Sequence, residues 1–126
     1  MKMKAPDHEM VLIVEDDEDA AESLRDAIGV MGHTSEIAGN GKVALEYLRR
    51  DPTKYCLILL DLAMPVMNGW DFLNEHHRDS TISSVPVIIV TAIPKVHAKV
   101  TEQDAAEFMQ KPVNTERLKA ALGHYC

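Results

Sequence analysis

A short apolar run that ends in a single acid constrains this chain more than any other feature. Residues 56–60 are consecutively apolar, Asp61 follows them directly, and Pro65 and the pair at 68–69 then turn the chain. Such a run between turn signals indicates a strand buried on both faces, as in a parallel sheet covered by helices. Asp61 should therefore lie at the carboxyl end of a strand, where open α/β sheets bind ligands. An Asp here is also a common turn former, so the stretch alone leaves both interpretations open.

Strand and helix patterns alternate five times along the chain. Apolar runs at residues 10–14 and 85–90 resemble the first, and weaker strand patterns lie at 33–38 and 105–110. Helical spacing of apolar residues predicts helices at 20–31, 42–50, 70–78 and 94–103, and a last one capped by Asn114 or Thr115. Gly32 would end the first helix. This alternation implies a parallel sheet with right-handed crossovers.

Composition narrows the classes of partner and compartment. The 126 residues fit one domain, and a net charge of −7 disfavours nucleic acid or an anionic membrane as a partner. Every apolar run is shorter than the roughly 18 residues of a membrane span. Two cysteines, Cys56 and Cys126, give neither a disulfide framework nor metal-ligand spacing. We therefore expect a reducing, cytoplasmic location with Cys126 as an exposed free thiol.

Polar residues follow the predicted strands at their exits. They are Glu15, Asp16, Asp17, Asp61, Thr91 and Lys111. Because parallel strands share one carboxyl edge, these groups can converge there, and clustered carboxylates need a cation such as Mg²⁺. An ammonium and a hydroxyl beside them suit an incoming phosphoryl group, with Asp61 as the nucleophile.

Each of these residues also has a simpler explanation. The acids could stabilise a helix N-terminus, Thr91 could be an ordinary strand residue, and Lys111 could be a solvated charge. Their joint position at the exits of the strongest strands favours a common site.

Four segments resemble the receiver domain of two-component response regulators, in matching order and spacing. They read VLIVEDD at 11–17, LLDLAMP with MNG at 59–65 and 67–69, VPVIIVTA at 85–92, and FMQKP at 108–112. The resemblance covers nearly the whole chain and implies a doubly wound, flavodoxin-like parallel sheet of five strands in the order 2-1-3-4-5, with helices on both faces. It also implies one receiver domain over residues 1–126, ordered from about 9 to 124, without an effector domain.

The resemblance further implies a phosphoacceptor and its metal ligands. Asp61 would take a phosphoryl group from a phosphohistidine on a histidine kinase or histidine phosphotransfer protein. Mg²⁺ would be held by Asp16, Asp61 and the backbone carbonyl of Ala63, with Glu15 acting through water. Counting from the apolar strand and from Asp16 to Gly32 favours Glu15 and Asp16 as the acid pair and leaves Asp17 as the helix cap. A shift of one residue would make the pair Asp16 and Asp17 instead.

The resemblance also implies a switch. Lys111 would pair with the phosphoryl oxygens, Thr91 would move to hydrogen-bond them, and Phe108 would turn inward, so that the domain signals to a downstream protein or relays the phosphoryl group. Acceptance and autodephosphorylation at Asp61 would be self-catalysed, without enzyme turnover.

Three alternatives remain. A phosphohydrolase of the haloacid-dehalogenase type would need an acid at position 63, where the chain has Ala63, and a flavodoxin would need a phosphate loop in place of the acids at 15–19. A degenerate receiver would bind proteins without phosphorylation. The chain departs from the family pattern in two places: the stretch between Thr91 and Lys111 is short and contains Pro94, and Asp104 precedes the last strand. Both lie on the face formed by the fourth helix, the fifth strand and the fifth helix, through which the family signals, so signalling through this face is less secure than phosphorylation.

Overall fold

The computed structural model describes residues 9–62, 67–92 and 105–126, and forms the predicted α/β sheet. The strands are β1 (Met10–Val14), β2 (Thr34–Ala38), β3 (Tyr55–Leu60), β4 (Val87–Thr91) and β5 (Glu107–Gln110). The helices of the described residues are α1 (Glu18–Val30), α2 (Gly41–Arg50), α3 (Gly69–Arg78) and α4 (Thr115–Tyr125). All strand pairs are parallel and the order is β2-β1-β3-β4-β5, which confirms the predicted fold. The helix expected at 94–103, with Pro94 and Asp104, lies outside the described residues.

The sheet divides the core into two layers. In β1, Leu12 and Val14 face one side of the sheet, and Val11 and Ile13 face the other. The first side, here called the α2/α3 face, is covered by buried residues of those two helices: Ala44, Leu45, Leu48, Phe72 and Leu73. The second, the α1/α4 face, is covered by Ala21, Ile28, Leu118, Ala121 and Leu122. Burial on both faces explains why β1 and β3 are continuously apolar.

Short polar side chains and one glycine define the helix ends. Asp17 caps α1, accepting hydrogen bonds from the backbone N–H groups of Asp19 and Ala20 at 3.0 and 3.2 Å. Gly32, at φ +89°, ends the same helix in the left-handed conformation that glycine favours. Of the two residues predicted as possible caps of the last helix, Asn114 is the cap, and its side chain accepts a hydrogen bond from the N–H of Arg117 at 2.9 Å.

The two cysteines are joined, which corrects the expectation of free thiols. Cys56 and Cys126 form a disulfide with their Cα atoms 5.3 Å apart, so neither cysteine is free. The prediction of an exposed Cys126 thiol was wrong, and the argument for a reducing compartment loses its basis. The pairing is 70 residues apart in sequence and depends on where the end of α4 meets the start of β3. Spacing along the chain cannot reveal such a contact.

One histidine of α3 is buried, and this burial affects its ionisation. His76 is 2% exposed, and its Nε2 lies 2.9 Å from the carbonyl oxygen of Val85. Its Nδ1 has no hydrogen-bond partner among the described residues. Burial lowers the pKa of His76 below its ordinary value of 6.5, because the charged ring would lose its water. The neighbouring His77 is exposed, as the helical spacing predicts.

We expect stability to fall on mild acidification. Below a pH of about 6.5, His76 is protonated in the unfolded chain but stays neutral in the folded protein, where its pKa is lower. Proton binding then favours the unfolded chain, so stability that is present above this pH is lost as the pH falls towards the pKa of the folded protein. His76→Gln keeps an N–H for the carbonyl of Val85 and should weaken this pH dependence. Urea unfolding at about pH 7 and about pH 5 measures the difference, with His77→Gln as the matched control. If the free energy of unfolding fell by the same amount between these two pH values in the parent and in His76→Gln, His76 would not be the source of the pH dependence.

Candidate functional site

Three site residues directly follow strands at the carboxyl edge of the sheet, and their backbone N–H groups continue the hydrogen bonding between neighbouring strands. The N–H of Glu15 donates to the carbonyl of Ala38 at 3.1 Å, and that of Asp61 donates to Val14 at 3.0 Å. The N–H of Lys111 donates to the carbonyl of Thr91 at 2.8 Å. The predicted site residues therefore start from rigid strand ends, which favours a precise arrangement of their side chains.

Three carboxylates meet at this edge. One oxygen from each of Glu15, Asp16 and Asp61 lies within 4.8 Å of the others. Glu15 and Asp61 are buried, whereas Asp16 is exposed. Asp17, the other acid of the possible pair, points instead to the N-terminus of α1 as its cap. Like charges this close repel and require a cation.

Lys111 supplies part of that positive charge. Its Nζ lies 2.5 Å from Glu15 Oε1 and 3.5 Å from Asp61 Oδ2. Burial raises the pKa of Glu15, and the nearby charge of Asp61 adds to this, while the hydrogen bond from Lys111 opposes it. Burial alone would lower the pKa of Lys111, but Glu15 and Asp61 outweigh it and the pKa is raised. Lys111 is therefore held in its charged form.

The donor set fits a magnesium ion. Three carboxylates against one ammonium leave two negative charges uncompensated when all four groups are ionised, which matches a divalent cation. Carboxylate oxygens are the ligands that Mg²⁺ prefers, and the exposure of Asp16 leaves the site open to the waters this ion usually keeps. Glu15, Asp16 and Asp61 are the residues that would hold it. Ala63, expected to add its carbonyl, lies outside the described residues.

The two predicted switch residues lie on the neighbouring strands β4 and β5. Thr91 is fully buried at the last position of β4. Phe108 lies in β5 opposite Ile89, partly buried against the α2/α3 face. Its carbonyl accepts a hydrogen bond from Arg117 at 2.9 Å, and the same guanidinium lies 2.6 Å from Glu107. Arg117 thus ties α4 to the strand that carries Phe108.

Two contacts near the site were not anticipated from the sequence. Nothing in the sequence indicated the contacts of Arg117, because its partners Glu107 and Phe108 lie ten and nine residues earlier, on a different element of the fold. Gly69 was interpreted only as part of a turn, but it is also a packing position. An ideal Cβ there would lie 2.9 Å from the carbonyl oxygen of Asp61, so the glycine allows α3 to begin directly against the backbone of Asp61 and Leu62.

The sequence and the fold match those of known proteins. The profile of the family described as "Response regulator receiver domain" matches residues 11–123. The chain belongs to the response regulator receiver domains. This receiver is 32% identical over 114 residues to Response regulator MprA of Mycobacterium ulcerans, covering 89% of this chain and 47% of that protein. It is also 32% identical over 114 residues to Response regulator ArlR of Staphylococcus epidermidis, covering 89% of this chain and 50% of that one.

A solved structure gives the same result in three dimensions. The signal receiver domain of a putative Luxo repressor protein from Vibrio parahaemolyticus superposes with a TM-score of 0.81 at 28% identity, covering 94% of this chain and 89% of that one. Receiver domains are signalling domains of two-component systems, and members of the family generally bind Mg²⁺ in an acidic pocket. This chain spans about half the length of MprA and ArlR. Among the described residues, no helix has the length and apolar character needed to span a membrane.

Proposed function

We propose that this receiver accepts a phosphoryl group on Asp61 from the phosphohistidine of a histidine kinase or histidine phosphotransfer protein. The observation that carries the proposal is the convergence of a buried carboxylate, two further acids and one ammonium at the same sheet edge. Asp61 is suited to be the nucleophile because Lys111 lies 3.5 Å from one of its oxygens and can neutralise negative charge on a phosphoryl group transferred there.

The transfer proceeds by in-line displacement. A carboxylate oxygen of Asp61 attacks phosphorus, the bond from phosphorus to the imidazole nitrogen breaks, and the leaving nitrogen keeps the electron pair and takes up a proton. Lys111 can turn from Glu15 towards the new phosphoryl oxygens, since it already lies between the two acids. When bound by Glu15, Asp16, Asp61 and the carbonyl of Ala63, Mg²⁺ would supply charge neutralisation for the phosphoryl oxygens.

Phosphorylation would then shift the population of two conformations. It adds about −1.5 to −2 charge and strong acceptor oxygens next to Thr91 and Lys111. The Thr91 hydroxyl would donate to these oxygens, and Phe108 would turn inward. Because Arg117 binds the carbonyl of Phe108, this movement would alter the surface formed by β5 and α4. Hydrolysis of the acyl phosphate by water, catalysed within the domain itself, would reset the switch.

The output belongs to the same proposal. The domain would act in the cytoplasm by docking to a downstream protein or by relaying its phosphoryl group, without binding nucleic acid itself. A negative net charge of −7 favours a basic partner surface over nucleic acid. A second candidate, a degenerate receiver that binds partners without phosphorylation, is disfavoured by the presence of Asp61, Thr91 and Lys111 together with the clustered acids.

Intact mass spectrometry tests the proposal directly. After incubation with Mg²⁺ and acetyl phosphate, the protein should gain the mass of one phosphoryl group, stable in acid and labile in base. Chelation of Mg²⁺ before the donor is added should reduce the gain to background, because the acids then repel the donor. A cognate phosphohistidine protein serves as the second donor. Absence of any gain with both donors, together with no calorimetric Mg²⁺ binding, would favour the degenerate receiver.

A further inference from the structure

The disulfide lies at the opposite edge of the sheet from the acids. Cys56 is the second residue of β3, whereas Asp61 follows the last residue of the same strand. Cys126 follows α4 and closes its final turn, its N–H donating to the carbonyl of Leu122 at 2.9 Å. The bond therefore connects the end of α4 to the start of the strand that leads to Asp61.

An irregularity in β3 turns Cys56 towards α4. Met10 pairs with Tyr55 and Val11 pairs with Leu57, so Cys56 is an extra residue between two consecutive pairs. As a result Cys56 and Leu57 both belong to the α1/α4 face, although neighbouring residues of a regular strand face opposite sides. An inserted residue of this kind redirects a side chain. Here it places the sulfur of Cys56 within reach of Cys126.

The two cysteine residues differ in their exposure to solvent. Cys56 is 3% exposed, whereas Cys126 is exposed and lines a polar cleft of about 320 Å³. The other residues of the cleft are Glu9, Gly32, His33 and Thr34. A small thiol can therefore approach Cys126 through this cleft, whereas the protein covers Cys56. Attack is directed to one sulfur, which is a feature of a selective thiol–disulfide exchange site.

The structure can also accommodate the reduced form. Cys56 Sγ lies 3.5 Å from the carbonyl oxygen of Met10, so a thiol there could donate a weak hydrogen bond instead of being left without a partner. The helix α4 keeps other attachments, with Leu118 and Leu122 buried and Arg117 bound to β5. Loss of the disulfide would release the end of α4 and leave the rest of the helix packed.

We propose that the Cys56–Cys126 disulfide is a reversible redox site that exchanges with low-molecular-weight thiols and disulfides and clamps the last turn of α4 onto the sheet. A thiolate attacks Cys126 Sγ, the Cys56–Cys126 bond breaks, and Cys56 leaves as a thiolate that takes up a proton. A second thiolate attacks the outer sulfur of the mixed disulfide and releases Cys126 as a thiolate, so that two small thiols become one small disulfide. The reverse sequence, with the small disulfide as oxidant, restores the clamp.

A glutathione titration of the native protein tests the proposal without using phosphorylation. The protein is equilibrated with mixtures of reduced and oxidised glutathione, quenched in acid and alkylated, and free thiols are counted by intact mass. The count should change between none and two as the mixture changes. In the reduced form, amide hydrogen exchange in the last turn of α4 should increase at short labelling times, at which β3 stays protected because its amides exchange only by global unfolding. The thermal midpoint should fall by about 10 °C because the unfolded chain loses a long cross-link.

Cys126→Ser is the matched control, because the change is conservative and exposed. It should behave as the reduced parent does at every glutathione ratio, with one thiol throughout. A disulfide that excess reduced glutathione opens only after denaturation would overturn the proposal in favour of a permanent cross-link. Two thiols that persist in excess oxidised glutathione would also overturn it, as would hydrogen exchange in α4 that does not depend on the thiol count.

Discussion

Replacement of Asp61 by Asn is expected to abolish phosphoryl acceptance while the fold survives. An amide is not a nucleophile, so the variant lacks the carboxylate oxygen that would attack phosphorus. The parent Asp61 is buried directly after β3, with one oxygen 3.5 Å from Lys111. The change is isosteric and removes one of three clustered negative charges, which offsets the lost attraction to Lys111. The free energy of unfolding should therefore change by no more than about 1 kcal/mol.

Intact mass after incubation with Mg²⁺ and acetyl phosphate measures acceptance, and urea unfolding measures stability. Asp26→Asn is the control, since Asp26 is exposed on α1 and the substitution removes the same charge away from the site. This control should gain a phosphoryl group as the parent does. Uptake of a phosphoryl group by the Asp61→Asn variant at residue 61 would refute the assignment, and so would a parent phosphopeptide that maps to another residue.

Replacement of Gly69 by Ala is expected to destabilise the domain by about 3 kcal/mol, the upper part of the range for overpacked positions. The new Cβ would lie 2.6 Å from Leu62 Cα, 2.7 Å from Leu62 Cδ2 and 2.9 Å from the carbonyl oxygen of Asp61. Two of these atoms are backbone, and the Gly69 N–H donates to the Leu62 carbonyl at 3.0 Å, so the chain cannot easily move apart. Displacement of the Asp61 backbone should also slow phosphoryl acceptance.

Gly29→Ala is the matched control for this prediction. Gly29 lies within α1, and a Cβ there would meet nothing within 4 Å among the described residues. Its replacement should stabilise the protein by about 0.5–1 kcal/mol, since alanine loses less conformational freedom in a helix. Urea unfolding of both variants measures these changes, and an unchanged dependence of the unfolding free energy on urea concentration would show that the midpoints report stability. A Gly69→Ala variant as stable as the parent would contradict the prediction and show that the backbone of Asp61 and Leu62 can move to accommodate the methyl group.

The outline of the fold follows from local patterns. The runs at 10–14, 56–60 and 85–90 could be interpreted as buried strands because parallel strands covered on both faces need apolar side chains throughout. The boundaries shifted by one or two residues where strand pairing decides them: β3 begins at Tyr55, β4 at Val87 and β5 at Glu107. Pairing depends on the neighbouring strand, which the local sequence does not contain.

The convergence of the acids was predictable for a related reason. All strands of a parallel sheet end at one edge, so Glu15, Asp16, Asp61 and Lys111 could be placed together once their strands were identified. Counting residues from the strand and from Gly32 also predicted Asp17 as the cap of α1, and the structure confirms it. The ion pair of Lys111 with both Glu15 and Asp61, by contrast, depends on distances between separate strands.

The sequence by itself determined the parallel sheet, the two-sided core and the acidic edge, because apolar periodicity and residues at strand exits are properties of short segments. Only the tertiary structure decided the Cys56–Cys126 disulfide, the close approach of Gly69 to the backbone of Asp61 and Leu62, and the link from Arg117 to β5. Each of these contacts joins different elements of the fold. Its existence depends on how those elements pack, and packing is a property of the whole chain.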